Sequence, residues 1–137
     1  MNEITVKALV DNLGTVTNFV DDFLDSCDCP MKVQMQIDIA IDEIFSNICH
    51  YAYGDSVGEA TVRVEFEDAS ARKAVALTFI DEGVPYNPLE KEDPDTTLSA
   101  EDRKIGGLGI YMVKKNMDEM EYEYSEGKNI LSMKKYL

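Results

Sequence analysis

The spacing of apolar residues changes repeatedly along this chain, and each change predicts an element. Residues 3–10 alternate loosely and carry Ile4, Thr5 and Val6, the pattern of a half-buried strand that Asp11 and Asn12 stop. From Leu13 the apolar positions fall at Val16, Phe19, Val20, Phe23 and Leu24, which is one face of a helix with Asn12 as its N-cap. Pro30 suits the first turn of a second, longer helix over residues 31–53. Its apolar stripe, Val33, Ile37, Ala40, Ile41, Ile44, Ile48 and Ala52, recurs at helical spacing and predicts a core face. The turn residues Gly54, Asp55, Ser56 and Gly58 close that helix. Two strand-like runs follow, residues 60–67 and 73–80, close enough to pair as an antiparallel hairpin.

Residues 86–104 are polar, contain Pro88 and Pro94, and predict a loop with one short helical turn around residues 98–103. A loop this long inside a compact domain suggests a lid, here bounded as residues 86–105. Gly106, Gly107, Leu108 and Gly109 then form a turn that leads into a helix over 111–118. Residues 120–126 and 129–137, joined by Gly127 and Lys128, predict a closing hairpin. The order strand, helix, helix, strand, strand, lid, helix, strand, strand implies an α/β two-layer sandwich. Its sheet is expected to be mixed, mostly antiparallel, with the helices packed on one face.

Composition narrows the setting. The 137 residues, 45% hydrophobic, match one domain spanning 1–137 that folds without metal or disulfide support. The odd set Cys27, Cys29 and Cys49 argues against a disulfide scaffold, and the absence of an n-region, h-region or bilayer-length apolar run points to a cytoplasmic protein without a membrane span. With 27 acids against 13 bases the net charge is −14, which disfavours direct nucleic-acid binding. An anionic ligand would need backbone N–H groups or a cation to overcome that field.

Three polar features supply such a site. On the long helix Glu43 and Asn47 lie four residues apart and share a face, beside a second pair, Asp42 and Ser46. Asp81 and Gly83 follow a strand: the carboxylate can accept from an exocyclic amine, while glycine lets a base approach. The glycine turn before the last helix offers N–H donors and a helix dipole to phosphates. Asn47 can give its amide oxygen to Mg²⁺, and Glu43 can act as general base near a terminal phosphate.

The order of these features resembles the GHKL ATPase and kinase superfamily, with its N box, Asp-x-Gly box and glycine-rich lid. The small size and the run from Asp42 to Asn47 that continues to Tyr51, Ala52, Tyr53 and Gly54 look most like the anti-sigma-factor serine/threonine kinases. The run from Asp81 to Pro88 and the glycine turn strengthen that likeness. The resemblance implies the Bergerat, or histidine-kinase-like, ATPase fold, with ATP and Mg²⁺ as cofactors. It implies Glu43 as general base, Asn47 as Mg²⁺ ligand, Asp81 as adenine reader with Gly83 as spacer, and Gly106, Gly107, Leu108 and Gly109 as the phosphate-facing lid. It further implies a homodimer that phosphorylates a STAS-domain anti-anti-sigma protein and sequesters a sigma factor. Two alternatives keep the same pocket: a non-catalytic ATP-binding adaptor, and an ATPase whose Glu43 activates water. The chain departs from the family pattern at Tyr51, where relatives often carry histidine, and after Gly127, where Lys128 stands in place of a threonine.

Overall fold

The computed structural model describes residues 2–68, 72–90 and 107–137. Five strands and three α-helices follow in the predicted order: β1 (Asn2–Lys7), α1 (Leu13–Ser26), α2 (Met31–Asn47), β2 (Glu59–Glu67), β3 (Ala74–Asp81), α3 (Gly107–Asn116), β4 (Glu119–Ser125) and β5 (Lys128–Tyr136). The strands form one sheet in the order β1-β2-β3-β5-β4. Every pairing among the described strands is antiparallel, so the mixed sheet expected from sequence reduces to an antiparallel one. Hairpins account for this: β2 with β3 and β4 with β5 are chain neighbours, and β3 with β5 joins the two hairpins.

Side-chain alternation gives the sheet one buried face. Val62, Phe79 and Leu131 lie opposite one another in register, as do Val64, Leu77 and Met133, and all six are buried. Against them pack Val16, Val20 and Leu24 of α1, Ile37, Ile41 and Phe45 of α2, and Ile110 and Val113 of α3. All seven residues of the predicted α2 stripe are buried. Phe45, also fully buried, lies outside that stripe because α2 is covered on a wider arc than one helical row.

Several boundaries move for local reasons. The first strand ends at Lys7, because Leu9 and Val10 turn outward into a short 3₁₀ turn, Val10–Asn12. Asn12 does not cap α1 with its side chain; its amide instead donates to the Lys7 carbonyl at 2.9 Å and ties off β1. Pro30 is the residue before α2, where its carbonyl accepts from the N–H groups of Val33 and Gln34. The predicted helix over 31–53 is α-helical only to Asn47, then widens into a π turn, Ile48–Ala52. Helix α3 begins at Gly107, so Gly107, Leu108 and Gly109 form its first turn and not a separate loop ahead of it. The closing hairpin turns at Glu126 and Gly127, with φ of 55° and 78°, the left-handed pair a two-residue turn requires, and Lys128 already belongs to β5. Of the expected lid, residues 86–90 are described and contain a 3₁₀ turn, Pro88–Glu90. Residues 91–106, with the expected helical turn and Gly106, lie outside the described residues.

Candidate nucleotide site

The pocket forms where the C-terminal half of α2 and its π turn cross the ends of β3 and β5. It is lined by Ile44, Asn47, Ile48, Phe79 and Leu131, with Asp81 and Asn129 at its polar end and Tyr51, Tyr86 and Tyr122 among its walls. About 480 Å³ of empty space lies within it, partly open to solvent. That mostly apolar wall with a few polar groups at one end suits a flat heterocycle.

Period two in β3 explains the acid at its end. Asp81 is in phase with Leu77 and Phe79, so its carboxylate points to the helix side and is 7% exposed. Its Oδ1 accepts from the Gly83 N–H at 2.9 Å and from the Asn129 amide at 3.0 Å. Its Oδ2 makes no hydrogen bond among the described residues, which leaves an acceptor for a ligand.

Gly83 has a second reason to lack a side chain. A Cβ there would fall on the Ala52 carbonyl and lie 2.5 Å from the Ala52 Cβ, and the same carbonyl accepts from the Val84 N–H at 2.9 Å. The turn after β3 is thus pressed against the π turn. Tyr53 fastens the same corner: its hydroxyl donates to the Glu59 carbonyl at 2.5 Å and accepts from the Glu82 N–H at 2.8 Å. Burial pushes the Tyr53 phenol above the usual tyrosine range, so it keeps the proton it donates.

Glu43 and Asn47 lie one turn apart on α2, as their spacing requires, and Asn47 Nδ2 donates to Glu43 Oε1 at 3.3 Å. This bond gives the carboxylate a preferred orientation. It also commits the nitrogen end of Asn47, so its Oδ1 is the end available to a cation. A hard cation such as Mg²⁺ fits that donor, because Mg²⁺ takes most of its ligands from water and phosphate oxygens. No cluster of three or more His, Cys, Asp or Glu suited to a metal occurs among the described residues.

The structure also joins Glu43 to the glycine turn. A Cβ added at Gly109 would land on the Glu43 carboxylate, with Oε1 2.5 Å away. The sequence places these residues 66 positions apart, and only the packing of α2 on α3 brings them together. Of the predicted site residues, Glu43, Asn47, Asp81, Gly83 and Gly109 border one region; the backbones of Gly107 and Leu108 open α3 beside it. Asp42 and His50 are exposed and outside the pocket lining.

Asn129 was missed. The signal was present, because it shares the strand phase of Leu131 and Met133 and is therefore a polar residue on a core-facing position.

A family model described as "Histidine kinase-like ATPase domain" matches residues 6–135. A serine-protein kinase RsbW of Bacillus mycoides is 33% identical over 104 residues, 72% of this chain and 61% of that protein. The chain thus spans about three fifths of the length of the RsbW relatives it matches. An anti-sigma F factor of Caldanaerobacter subterraneus is 27% identical over 138 residues, covering 100% of this chain and 94% of its own. A serine/threonine-protein kinase BtrW of Bordetella bronchiseptica is 24% identical over 102 residues, 74% of this chain and 70% of that one. An ATPase-domain match implies that the chain binds ATP. No helix among the described residues is long and apolar enough to cross a membrane.

Proposed function

This chain belongs to the histidine kinase-like ATPase family, on its anti-sigma kinase branch, and on that premise we propose that it is a serine/threonine protein kinase of a partner switch. It phosphorylates a STAS-domain anti-anti-sigma protein in the cytoplasm and, in its other state, sequesters a sigma factor as a homodimer. The observation that carries this reading is the contact between Glu43 and two neighbours at once, Asn47 on its own helix and the backbone at Gly109. A carboxylate held at the mouth of the glycine turn is placed to work on a phosphate that the turn receives.

In this reading the residues divide the work. Asp81 Oδ2 accepts from the 6-amino group of adenine. The N–H groups opening α3 and those of the glycine turn, Gly106 included, receive the phosphates. Asn47 Oδ1 would hold Mg²⁺, which when bound neutralises phosphate charge in a strongly acidic protein. Glu43 takes the proton of the acceptor hydroxyl as that oxygen bonds to the terminal phosphorus and the bond to the ADP oxygen breaks. Residues 86–105 act as the lid, and the chain works as one ATP-binding unit.

The test is transfer of radiolabelled terminal phosphate from ATP to purified STAS-domain proteins encoded nearby. The expected result is label on a serine or threonine, lost by about a hundredfold or more in Glu43→Ala while ATP binding persists. Intact ATP binding with no transfer to any of them would reject the kinase reading. Free phosphate released at a useful rate without a protein acceptor would make the protein an ATPase.

A further inference from the structure

We propose that Asn129 sets the purine selectivity of this pocket by holding the Asp81 carboxylate in one orientation, an inference that rests on the nucleotide reading above. Asn129 stands opposite Asp81 in the pairing of β3 with β5, and each is 7% exposed. Its Nδ2 donates to Asp81 Oδ1 at 3.0 Å and to the Val84 carbonyl at 2.9 Å, with the Gly83 carbonyl at 3.4 Å. Its Oδ1 accepts from the Tyr86 N–H at 3.1 Å and from the Tyr122 hydroxyl.

An asparagine amide can turn over unless its surroundings tell the two ends apart. Here they do. The Tyr86 backbone N–H can only serve the oxygen end, and the Tyr122 phenol, kept above its usual range and protonated by burial, donates to that oxygen as well. A carboxylate and backbone carbonyls can only serve the nitrogen end. Turned over, the amide would set oxygen against carboxylate and strand the Tyr86 N–H in a buried site.

The locked amide has a consequence for Asp81. With Oδ1 filled by Asn129 and the Gly83 N–H, the carboxylate has one vacant acceptor, Oδ2, and Asp81 lines the pocket. A 6-amino purine brings a donor to that acceptor. A 6-oxo purine brings a second acceptor, and the carboxylate cannot rotate away to relieve the clash because its other oxygen is pinned. Asn129 has its own donors and acceptor satisfied by protein, so it acts through Asp81 as a positioning residue and does not read the base itself.

The experiment measures ATP and ITP dissociation constants for the wild type, Asn129→Leu and Tyr122→Phe, with unfolding midpoints alongside. The wild type should prefer ATP. Asn129→Leu should weaken ATP by about 10- to 100-fold, the loss of a hydrogen bond to a charged group, while ITP changes less and the ratio collapses. Tyr122→Phe keeps the ring but removes one of the two donors to the amide oxygen, and should lower the ratio several-fold with the midpoint near that of the wild type. Equal losses for both nucleotides in Asn129→Leu, or an unchanged ratio in Tyr122→Phe, would overturn the assignment. If Asn129→Leu does not fold, Tyr122→Phe decides alone. A wild type that binds neither nucleotide would instead overturn the nucleotide reading itself.

Discussion

Gly83 and Gly109 both lack room for a methyl group, but their neighbours differ in how they can yield. At Gly83 the obstacle is the Ala52 backbone carbonyl, which the Val84 N–H also holds in place. Gly83→Ala should therefore destabilise the fold by roughly 1–3 kcal/mol, read from denaturant unfolding. At Gly109 the obstacle is the end of a flexible side chain, Glu43. Gly109→Ala should leave the unfolding free energy within roughly 0.5 kcal/mol of the wild type, yet displace the Glu43 carboxylate and depress phosphoryl transfer. A kinase assay beside a melting curve separates the two cases. The positions of Glu43 and Asn47 on one face of α2 and of Asp81 at the end of β3 were readable from sequence, because local periodicity and turn residues resolve them. The contact of Glu43 with Gly109 was not, because it depends on how two helices distant in sequence lie across one sheet. Asn129 was legible in principle from strand phase but carried no motif to draw the eye.

At the scale of elements, the seam between α1 and α2 holds an acid pair. Asp21 Oδ1 and Asp38 Oδ1 are buried with no donor from another residue among the described residues, and the two carboxyls lie within reach of a proton held by Asp38. Burial, then the hydrogen bond with Asp21, then its charge, raise Asp38 from 3.8 to about 7. The folded protein thus holds a proton that the unfolded chain releases, so this pair's contribution to stability falls as pH rises from 3.8 to about 7 and is flat above. Asp38→Asn should raise the melting temperature at pH 8 and give no such gain at pH 4. A larger gain at pH 4 would show that the pair does not share a proton. The two helices themselves, and the strands beneath them, follow from apolar spacing. The π turn at the end of α2 does not, since Ile48 and Ala52 keep a helical interval whether the backbone is α or π.

Across the whole molecule, the net charge of −14 opposes any triphosphate, and the pocket must return more than that repulsion costs. Mg²⁺ together with ATP at about 100 times the dissociation constant should stabilise the fold by about 2.7 kcal/mol. For a domain of this size that corresponds to a rise of roughly 10 °C in melting temperature. The shift should vanish in Asp81→Asn, and a thermal-shift titration reads it directly; an equal shift in that variant would remove Asp81 from the base site.

The π turn has one more consequence, for how this chain tolerates changes in length. It adds a fraction of a residue per turn between Asn47 and Tyr53, and so lets the Ala52 carbonyl meet Val84 while Tyr53 reaches Glu59 and Glu82. Exchange of one side chain for another at exposed His50 or Tyr51 leaves that phase untouched. Removing a single residue would restore α winding and leave Tyr53 close to its present direction, because five α steps of about 100° carry the chain almost as far around the axis as six of the narrower π steps. The corner beside the pocket thus has one residue of slack: the π turn stores an extra position without turning Tyr53 away from Glu59 and Glu82.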